Sequence, residues 1–300
     1  MNMIPQDTPR NKPFALTAFQ REEICHRYVL GESTVALGKA YGVSRAAIRH
    51  LLITRDIARR EYTTEAHRTY HCNHTYFDEP LDEERAYWIG FLLADGWVSL
   101  RSNRVDLGMS LSITDIGHVE KFRKALQSNH PIGQYTATRG YGIGKKTARL
   151  TIASKELVNA VARYGIVAHK TKICITPQIP VDLMRHMYRG YVDGDGGLSL
   201  YKTKTSRGLH AAFDVVGTKS FLQDFGFWLV MNAGANPLVP LKSNNTTAIM
   251  NLRYGGLRQV SDILHVLYDD TTIYLERKLR LAQDIWYAAE NQQSHRRHDY

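Results

Sequence analysis

Apolar residues recur along this chain of 300 residues with two different periods. Over residues 97–164 their spacing predicts two strands, a helix, two more strands and a second helix. The same order is predicted again over residues 198–268. An apolar helix precedes each block, so each half has the order α-β-β-α-β-β-α. The pattern therefore predicts an α+β fold with two pseudo-symmetric half-domains, residues 81–175 and residues 176–290.

A separate helical pattern precedes the two halves, in residues 14–58. Thr17 and Gln20 have the spacing of a capping box at the start of a helix, and Ser44 can cap a later helix. A short second helix and a third helix, joined by a glycine turn, predict a small helix-turn-helix domain. Residues 59–80 lose this periodicity and become polar, which predicts a linker.

The apolar helix at the start of each half ends in a repeated stretch. Residues 88–96 read WIGFLLADG and residues 188–196 read YRGYVDGDG, with an offset of 100 residues at each matched position. Small residues lie one helical turn apart in both stretches, at Gly90, Ala94, Gly190 and Gly194. Residues one turn apart share a face, so two such helices can pack with their backbones in contact.

An acid and a glycine close each stretch. Gly96 and Gly196 suit the left-handed residue that follows a helix, which predicts that Asp95 and Asp195 lie in the last turn. The C-terminal end of a helix carries partial negative charge, so two acids placed there are unfavourable. A nearby cation would remove this conflict. Carboxylate and carbonyl oxygens are ligands for Mg²⁺ or Ca²⁺, and the last carbonyls of a helix lack intrahelical partners.

The composition favours a polyanionic partner. Lysine and arginine number 39 against 29 acidic residues, which gives a net charge of +10 and an isoelectric point of about 9.4. The three cysteines are widely spaced and form no CxxC pair, which favours a reducing compartment. The N-terminus lacks an apolar signal segment, and each apolar run is about half the ~20 residues of a membrane span. We therefore expect an intracellular protein, cytoplasmic or nucleoid-associated, with no membrane partner.

Basic side chains are predicted on two kinds of surface. On the third N-terminal helix, Arg45, Arg49 and His50 lie outside the apolar stripe, where a recognition helix faces the major groove. The strands also carry basic residues, which alternation collects on one polar face of each sheet. These residues are Arg101, Arg104, Arg139, Arg149, Lys202, Lys204, Lys242 and Arg253. The alternatives are an ordinary solvated face for the sheets and a protein-docking role for the helices.

The repeated stretch resembles the motif of the LAGLIDADG homing endonucleases. The matching positions are Gly90, Ala94, Asp95, Gly96, Gly190, Asp193, Asp195 and Gly196. Leu93 replaces an acid and Gly194 replaces an alanine. Neither departure affects the eighth position, where the family keeps its metal-binding acid. The resemblance covers roughly residues 76–287 and occurs in two well-spaced copies.

The resemblance implies the chemistry of a cleavage site. Two or more Mg²⁺ ions would be held by oxygens of four residues, namely Asp95, Asp195, Ala94 and Gly194, the last two through their carbonyls. In this family a lysine near the metals can stabilise the transition state or orient water. The candidates are Lys170 in the first half and Lys278 in the second, with Lys219 as a competing candidate.

The implied activity is site-specific cleavage of double-stranded DNA by a monomer, whose two half-domains allow an asymmetric target. Two other functions stay open. One is a transcription regulator that keeps the fold as a DNA-binding platform, although loss of either acid would favour it and both are present. The other is an RNA maturase that assists intron folding, with RNA as its partner; the added helix-turn-helix favours duplex DNA instead.

Overall fold

The computed structural model describes most of the chain. The described residues are 16–58, 69–102, 104–138, 143–203, 208–243 and 248–298, with side chains up to residue 292. The chain divides into two compact units, Met1–Arg68 and Thr69–Tyr300. Each unit has its own hydrophobic core. None of the helices in the described residues is long and apolar enough to cross a membrane.

The N-terminal unit contains three helices, α1 (Ala18–Val29), α2 (Thr34–Ala40) and α3 (Arg45–Thr54). Each begins at a hydroxyl side chain that accepts a backbone N–H three residues later, and these caps are Thr17, Ser33 and Ser44. The α1 cap is a full capping box. The hydrophobic core of the unit contains Ile24, Tyr28, Leu37, Ile48 and Leu52. The predicted helices are therefore present, whereas their role as a DNA-binding helix-turn-helix stays a prediction.

The second unit begins with the first half-domain. Its elements are α4 (Glu83–Ala94), β1 (Gly96–Arg101), β2 (Arg104–Ser112), α5 (Ile116–Ala125), β3 (Gly133–Thr136), β4 (Lys146–Ala153) and α6 (Lys155–Ala162). The four strands form an antiparallel sheet in the order β1-β2-β4-β3. Helices α5 and α6 pack on one face of the sheet. Its other face carries the polar positions of each strand.

The second half-domain repeats this order. Its elements are α7 (Met184–Asp195), β5 (Gly196–Lys202), β6 (Leu209–Thr218), α8 (Lys219–Ala233), β7 (Lys242–Ser243), β8 (Ile249–Gly255), α9 (Leu257–Tyr268) and α10 (Glu276–His298). The antiparallel sheet has the order β5-β6-β8-β7. The predicted α+β fold with two related half-domains is confirmed, and α10 extends beyond the predicted end at residue 290.

Strand β7 begins later than the sequence predicts. The apolar pattern predicts a strand over residues 237–242, but within these residues only Lys242 pairs with β8, followed by Ser243. Pro237 and Pro240 lie within the predicted segment. Proline has no backbone N–H to donate to a neighbouring strand, so the pairing is confined to residues beyond both prolines.

The second half of the predicted linker is part of the second unit. Within residues 69–80, the side chains of Tyr76 and Phe77 are buried in its core. The Arg163 guanidinium donates to the Phe77 carbonyl oxygen at 3.0 Å. An isolated aromatic pair in a polar segment gives no periodic signal. The sequence therefore did not indicate that this pair is buried in the core. Residues 59–68 lie outside the described residues.

Candidate active site at the paired helix ends

The two motif helices, α4 and α7, pack with their backbones in contact. A Cβ atom on Gly90 would lie 1.8 Å from the Met187 carbonyl oxygen, and one on Gly190 would lie 2.0 Å from the Tyr87 carbonyl oxygen. Both distances are far inside van der Waals contact, so a side chain at either glycine would force the helices apart. The small faces predicted from the sequence are therefore the contact faces.

The glycines after the helices have a different role from the predicted one. Neither Gly96 nor Gly196 has a positive φ, and Gly196 is extended, with φ −88° and ψ 150°. The chain enters β1 or β5 at these residues without a left-handed cap. A Cβ atom on Gly96 would lie 2.6 Å from the Leu92 carbonyl oxygen, and one on Gly196 would lie 2.5 Å from that of Val192. Glycine is needed for this close approach, so the left-handed prediction is wrong.

Asp95 and Asp195 come together where α4 and α7 end. Asp95 follows the last residue of α4, and Asp195 is the last residue of α7. A Cβ atom on Gly194 would lie 2.3 Å from the Cβ atom of Ala94 and 3.5 Å from Oδ2 of Asp95. Asp95 and Asp195 therefore lie close together, and the last small residues of the two helices, Ala94 and Gly194, are in contact.

Burial and nearby charges change the protonation of the two acids. Although Asp195 is exposed as a residue, protein atoms crowd its carboxyl, and this desolvation together with the charge of Asp95 raises the pKa of Asp195 to about 6. Desolvation also raises the pKa of Asp95, whereas the charges of Lys278 and Lys170 act in the opposite direction. Burial therefore outweighs the nearby positive charge at both carboxylates.

The two predicted lysines bind the C-terminal ends of the motif helices. The Lys170 ammonium donates to the Ala94 carbonyl oxygen at 3.1 Å. The Lys278 ammonium donates to the carbonyl oxygens of Val192 and, at 2.6 Å, Gly196. Cations at these positions compensate the partial negative charge of a helix end. The chain thus supplies part of the positive charge that the sequence predicts at these acids.

Burial weakens the proton affinity of both lysines. Lys170 is 7% exposed and Lys278 is 3% exposed. Desolvation lowers the pKa of Lys278 to about 8, against the opposing effect of nearby Asp193, and it lowers the pKa of Lys170 against those of Asp195 and Asp95. Lys219, the competing candidate, is an exposed residue at the start of α8.

Arg277 is a further cation near the acids that the sequence did not reveal. Its Nε atom donates to Oδ2 of Asp115 in the first half-domain at 3.0 Å. Its charge lowers the pKa of Asp95, which places the guanidinium within electrostatic reach of the site. An arginine beside Lys278 at the start of a polar helix is an ordinary surface pattern. Arg277 lies near the acids because the start of α10 contacts the first half-domain, which the sequence alone does not indicate.

The open face of the first sheet carries arginines and aromatic rings. Strand register places Arg101 opposite Arg104, and Arg149 opposite Ser110, on the face not covered by helices. The Arg149 guanidinium lies 5.0 Å from the ring centre of Tyr135 and 6.0 Å from that of Trp97. Cation–π contacts hold an exposed guanidinium in a limited range of orientations.

Arg104 on the same face is partly neutralised. Its Nε atom donates to the buried carboxylate of Asp106 at 2.6 Å. The first sheet therefore offers Arg101 and Arg149 as arginines on its open face, while Arg104 shares its charge with Asp106. Arg139 lies outside the described residues.

The open face of the second sheet is less basic than the sequence predicts. Arg253 lies on this face opposite Asp214, and Lys242 lies opposite Asn251 on the same face. Lys202 pairs with Leu209 and lies on the same face of β5 as Leu198, which packs against the core. Lys202 is exposed at the strand end but belongs to the helix-covered face. The alternation predicted from the sequence is therefore one residue out of phase with the structure. Lys204 lies outside the described residues.

The N-terminal unit presents its predicted basic residues to solvent. Arg45, Arg49 and His50 are all exposed on α3. Gly38 in α2 is in close contact with the turn before α3, because a Cβ atom there would lie 2.8 Å from the Val43 carbonyl oxygen. The turn itself contains Gly42 with φ +64°, a conformation that favours glycine. These features fix the start of α3, and a contact with DNA stays a prediction.

Comparison with known proteins gives one match to a family model. Residues 82–165 match the family model of a LAGLIDADG-like domain. Similar solved structures include the LAGLIDADG homing endonuclease I-GzeII in complex with its DNA target, at 13% identity and a TM-score of 0.48 over 72% of this chain and 92% of that one. The LAGLIDADG meganuclease I-AabMI bound to uncleaved DNA has 12% identity and a TM-score of 0.49, over 71% and 92%. No curated protein matches the sequence. The family resemblance of the sequence is confirmed for the first half-domain.

Proposed function

We propose that this protein, whose residues 82–165 are a LAGLIDADG-like domain, is a site-specific endonuclease that cuts both strands of duplex DNA. One observation carries the proposal. Asp95 and Asp195 come from different half-domains and become neighbours only because α4 and α7 pack through glycine. A fold that needed only stability would not place two carboxylates at two helix C-termini.

The donor set at this place fits Mg²⁺. Hard divalent cations take carboxylate and carbonyl oxygens. Asp95 and Asp195 supply two carboxylates, and desolvation together with the charge of Asp95 raises the pKa of Asp195. The Ala94 carbonyl accepts from Lys170 and keeps a second lone pair. The Gly194 carbonyl is the remaining candidate, one residue before Asp195. We assign two or more ions to these four residues.

The residues of the chain have distinct tasks in phosphodiester hydrolysis. A divalent cation bound by the two acids would supply activation of water and stabilisation of charge on phosphate oxygens. Asp95 and Asp195 would fix the position of this cation. Lys170 and Lys278 hold the helix ends in place and add positive potential beside the scissile phosphates. Water attacks phosphorus and releases a proton to solvent, the bond from phosphorus to the leaving oxygen breaks, and that oxygen takes up a proton from solvent water.

DNA would lie on the open faces of the two sheets. Strands can enter the major groove, and arginine recognises guanine there through two hydrogen bonds. Arg149, whose guanidinium contacts the rings of Tyr135 and Trp97, is our first candidate for such a contact. Arg101, Arg253 and Lys242 would add phosphate or base contacts. Because one chain contains both half-domains, the protein would act as a monomer on an asymmetric site.

Selection from a random duplex library tests this function. DNA bound in Ca²⁺ would be isolated, transferred to Mg²⁺ and sequenced for new double-strand ends. We expect one family of long sites, cut within the bound segment in Mg²⁺ and intact when EDTA is present. Enriched sites that stay uncut in Mg²⁺ would identify a DNA-binding regulator instead. Enrichment of structured RNA over duplex DNA in a parallel library would favour the maturase.

The N-terminal unit should strengthen DNA binding without taking part in cleavage. A protein that begins at Thr69 retains Tyr76 and Phe77, which belong to the core of the second unit. We expect it to cut at saturating concentration, with weaker binding and a shallower dependence of affinity on salt, because fewer phosphates are contacted. Filter binding between low and high salt measures both. Full-length protein with Arg45→Ala and Arg49→Ala is the matched control and should shift the same way. Equal affinity and equal salt dependence for all three proteins would mean that α3 does not touch DNA.

Cleavage should depend on pH through Asp195. Its raised pKa of about 6 means that the protonated form gains population as soon as the pH falls below about 6, rather than below the ordinary range near 4. Protonation removes a carboxylate from the cation site, so at limiting Mg²⁺ the single-turnover rate should fall by about tenfold per pH unit on this limb. Saturating Mg²⁺ competes with the proton and should move the limb to lower pH. A flat profile from pH 7 to 5 at limiting Mg²⁺ would contradict this account.

A further inference from the structure

Asp193 is a fully buried carboxylate that the cleavage site does not use. It lies in α7 and is 1% exposed. Its Oδ2 atom accepts from the Tyr87 hydroxyl at 2.6 Å and from the Leu275 backbone N–H at 2.8 Å, and its Oδ1 atom accepts from the Tyr268 hydroxyl at 2.6 Å. Three donors from three other segments therefore meet on one side chain. A buried charge is tolerated only where such donors satisfy it.

The Leu275 contact fixes the start of α10. The Leu275 carbonyl accepts from the N–H groups of Lys278 and Leu279, so helical bonding begins at this residue. Its own N–H is one of the groups that a helix start leaves without an intrahelical partner. Asp193 takes that N–H, as a capping side chain would, but from a different helix.

Lys278 returns the contact one turn later. Its ammonium donates to the carbonyl oxygens of Val192 and Gly196, on either side of Asp193 in the chain. The end of α7 and the start of α10 are thus joined twice, once through each partner's side chain and the other's backbone. A shift of α10 along its axis would break both contacts together.

The first half-domain has no equivalent. Leu93 stands at the position matching Asp193 and is buried in the core. Lys170 reaches the Ala94 carbonyl from a short helical turn, Lys170–Lys172, directly after His169 in a left-handed conformation with φ 59°. The two lysines therefore reach the ends of the two motif helices by different means and through different carbonyls, and only Lys278 depends on a buried acid.

We infer that Asp193 is a positioning residue, which holds the start of α10 through Leu275 so that Lys278 stays at the end of α7. The inference rests on the proposed function for its catalytic consequence, while its structural part stands independently. Loss of the Asp193 contact should disturb the lysine of one half-domain and leave that of the other in place. Asymmetry between the two DNA strands would follow, because each half-domain supplies one lysine.

Two readouts test the positioning without any nuclease activity. In the wild-type protein, the Leu275 amide should exchange slowly with solvent deuterium, although it has no helical acceptor. In folded Asp193→Ala, mass spectrometry after acetylation should show Lys278 labelled severalfold faster than in wild type, with Lys170 unchanged as the internal control. Asp193→Asn can still accept from Tyr87 and Leu275 through its amide oxygen, and the Tyr268 hydroxyl can turn to accept. This variant should therefore keep Lys278 protected.

Strand-resolved kinetics tests the consequence. On a selected target, Asp193→Ala should cut one strand roughly tenfold to a hundredfold more slowly than the other and accumulate nicked DNA, as expected for a displaced catalytic group. Affinity in Ca²⁺ should be unchanged, and Asp193→Asn should restore balanced cutting. Equal slowing of both strands would overturn the positioning role.

The outcomes separate this inference from the proposed function. A wild-type protein that cuts no DNA refutes the function, while amide exchange and lysine labelling still decide the inference. Rapid exchange of the Leu275 amide in the wild-type protein would overturn the inference whether or not any variant folds. Protection of Lys278 in folded Asp193→Ala would overturn it as well, even if cleavage by the wild-type protein is normal.

Discussion

Replacing Asp95 or Asp195 by asparagine should abolish double-strand cleavage and leave DNA binding largely intact. Asparagine keeps the shape of the side chain but removes the charge that holds a divalent cation. Charge stabilisation by such a cation is worth several kcal/mol, so we expect the cleavage rate to fall by roughly a thousandfold or more. Binding rests on the sheet faces and should change little. Single-turnover cleavage in Mg²⁺ and filter binding in Ca²⁺ measure the two effects separately.

The matched control is Asp262→Asn, which removes one negative charge from an exposed position on α9. It should cut at the wild-type rate. Thermal melting distinguishes the two site variants from misfolded protein. Removing one acid relieves the repulsion between the two carboxylates and should lower the pKa of the remaining acid. Neither should melt much below the wild-type protein. Cleavage at the wild-type rate by Asp95→Asn or Asp195→Asn in Mg²⁺ would contradict the assignment of the active site.

Gly190→Ala should destabilise the second unit by more than about 3 kcal/mol, the upper end of ordinary overpacking. Its Cβ atom would lie 2.0 Å from the Tyr87 carbonyl oxygen, and backbone atoms cannot move aside as a side chain can. For a unit of this size we expect a melting temperature lower by roughly 6–12 °C. Thermal unfolding followed by circular dichroism measures the shift.

Gly226→Ala is the control for the intrinsic effect of alanine in a helix. Gly226 lies in α8, where the nearest atom to a Cβ would be 3.6 Å away on the Leu252 side chain. Alanine is favoured over glycine in a helix by about 1 kcal/mol, so this variant should be neutral or slightly stabilised. If Gly190→Ala and Gly226→Ala melt together, then α4 and α7 do not meet through Gly190 in solution.

The features that could be predicted from the sequence are those that a pattern repeats. Two stretches offset by 100 residues revealed the paired helices, the adjacent acids and the two half-domains. Lys170 and Lys278 could be named because each follows the last predicted helix of the repeated pattern, a region where the family that the sequence resembles has a lysine. The repeat does not indicate the backbone conformation in which the chain leaves each helix. Gly96 and Gly196 therefore look like left-handed caps, whereas they permit contact with a carbonyl of the preceding turn.

The missed features depend on contacts between segments distant in sequence. Asp193 resembles any other acid of the motif until Tyr87 and Tyr268 are brought to it from other helices. The phase of β5 is set by which side chains reach the core, and this decides the face of Lys202. Tyr76 has no periodic neighbours, so its burial follows only from the tertiary fold.

Two kinds of positive charge can compensate the acids at the C-terminal ends of α4 and α7, namely lysine side chains and a bound cation. The sequence predicts a cation wherever two acids end two helices, and the structure places lysine ammonium groups on the same helix ends. These ammonium groups bind backbone carbonyls and leave the carboxylates of Asp95 and Asp195 without a direct ion pair among the contacts of the described residues. The carboxylates thus stay available for a further cation. The lysines support the site and do not fill it.

Iron-directed cleavage of the polypeptide tests most directly whether Asp95 and Asp195 together hold that cation. Fe²⁺ would replace Mg²⁺ in the DNA complex, and ascorbate with hydrogen peroxide would generate radicals where the ion is bound. We predict chain breaks next to Asp95 and Asp195, suppressed by excess Mg²⁺ and absent when both residues are replaced by asparagine. Breaks elsewhere in the chain, or breaks that persist in the double variant, would contradict the account.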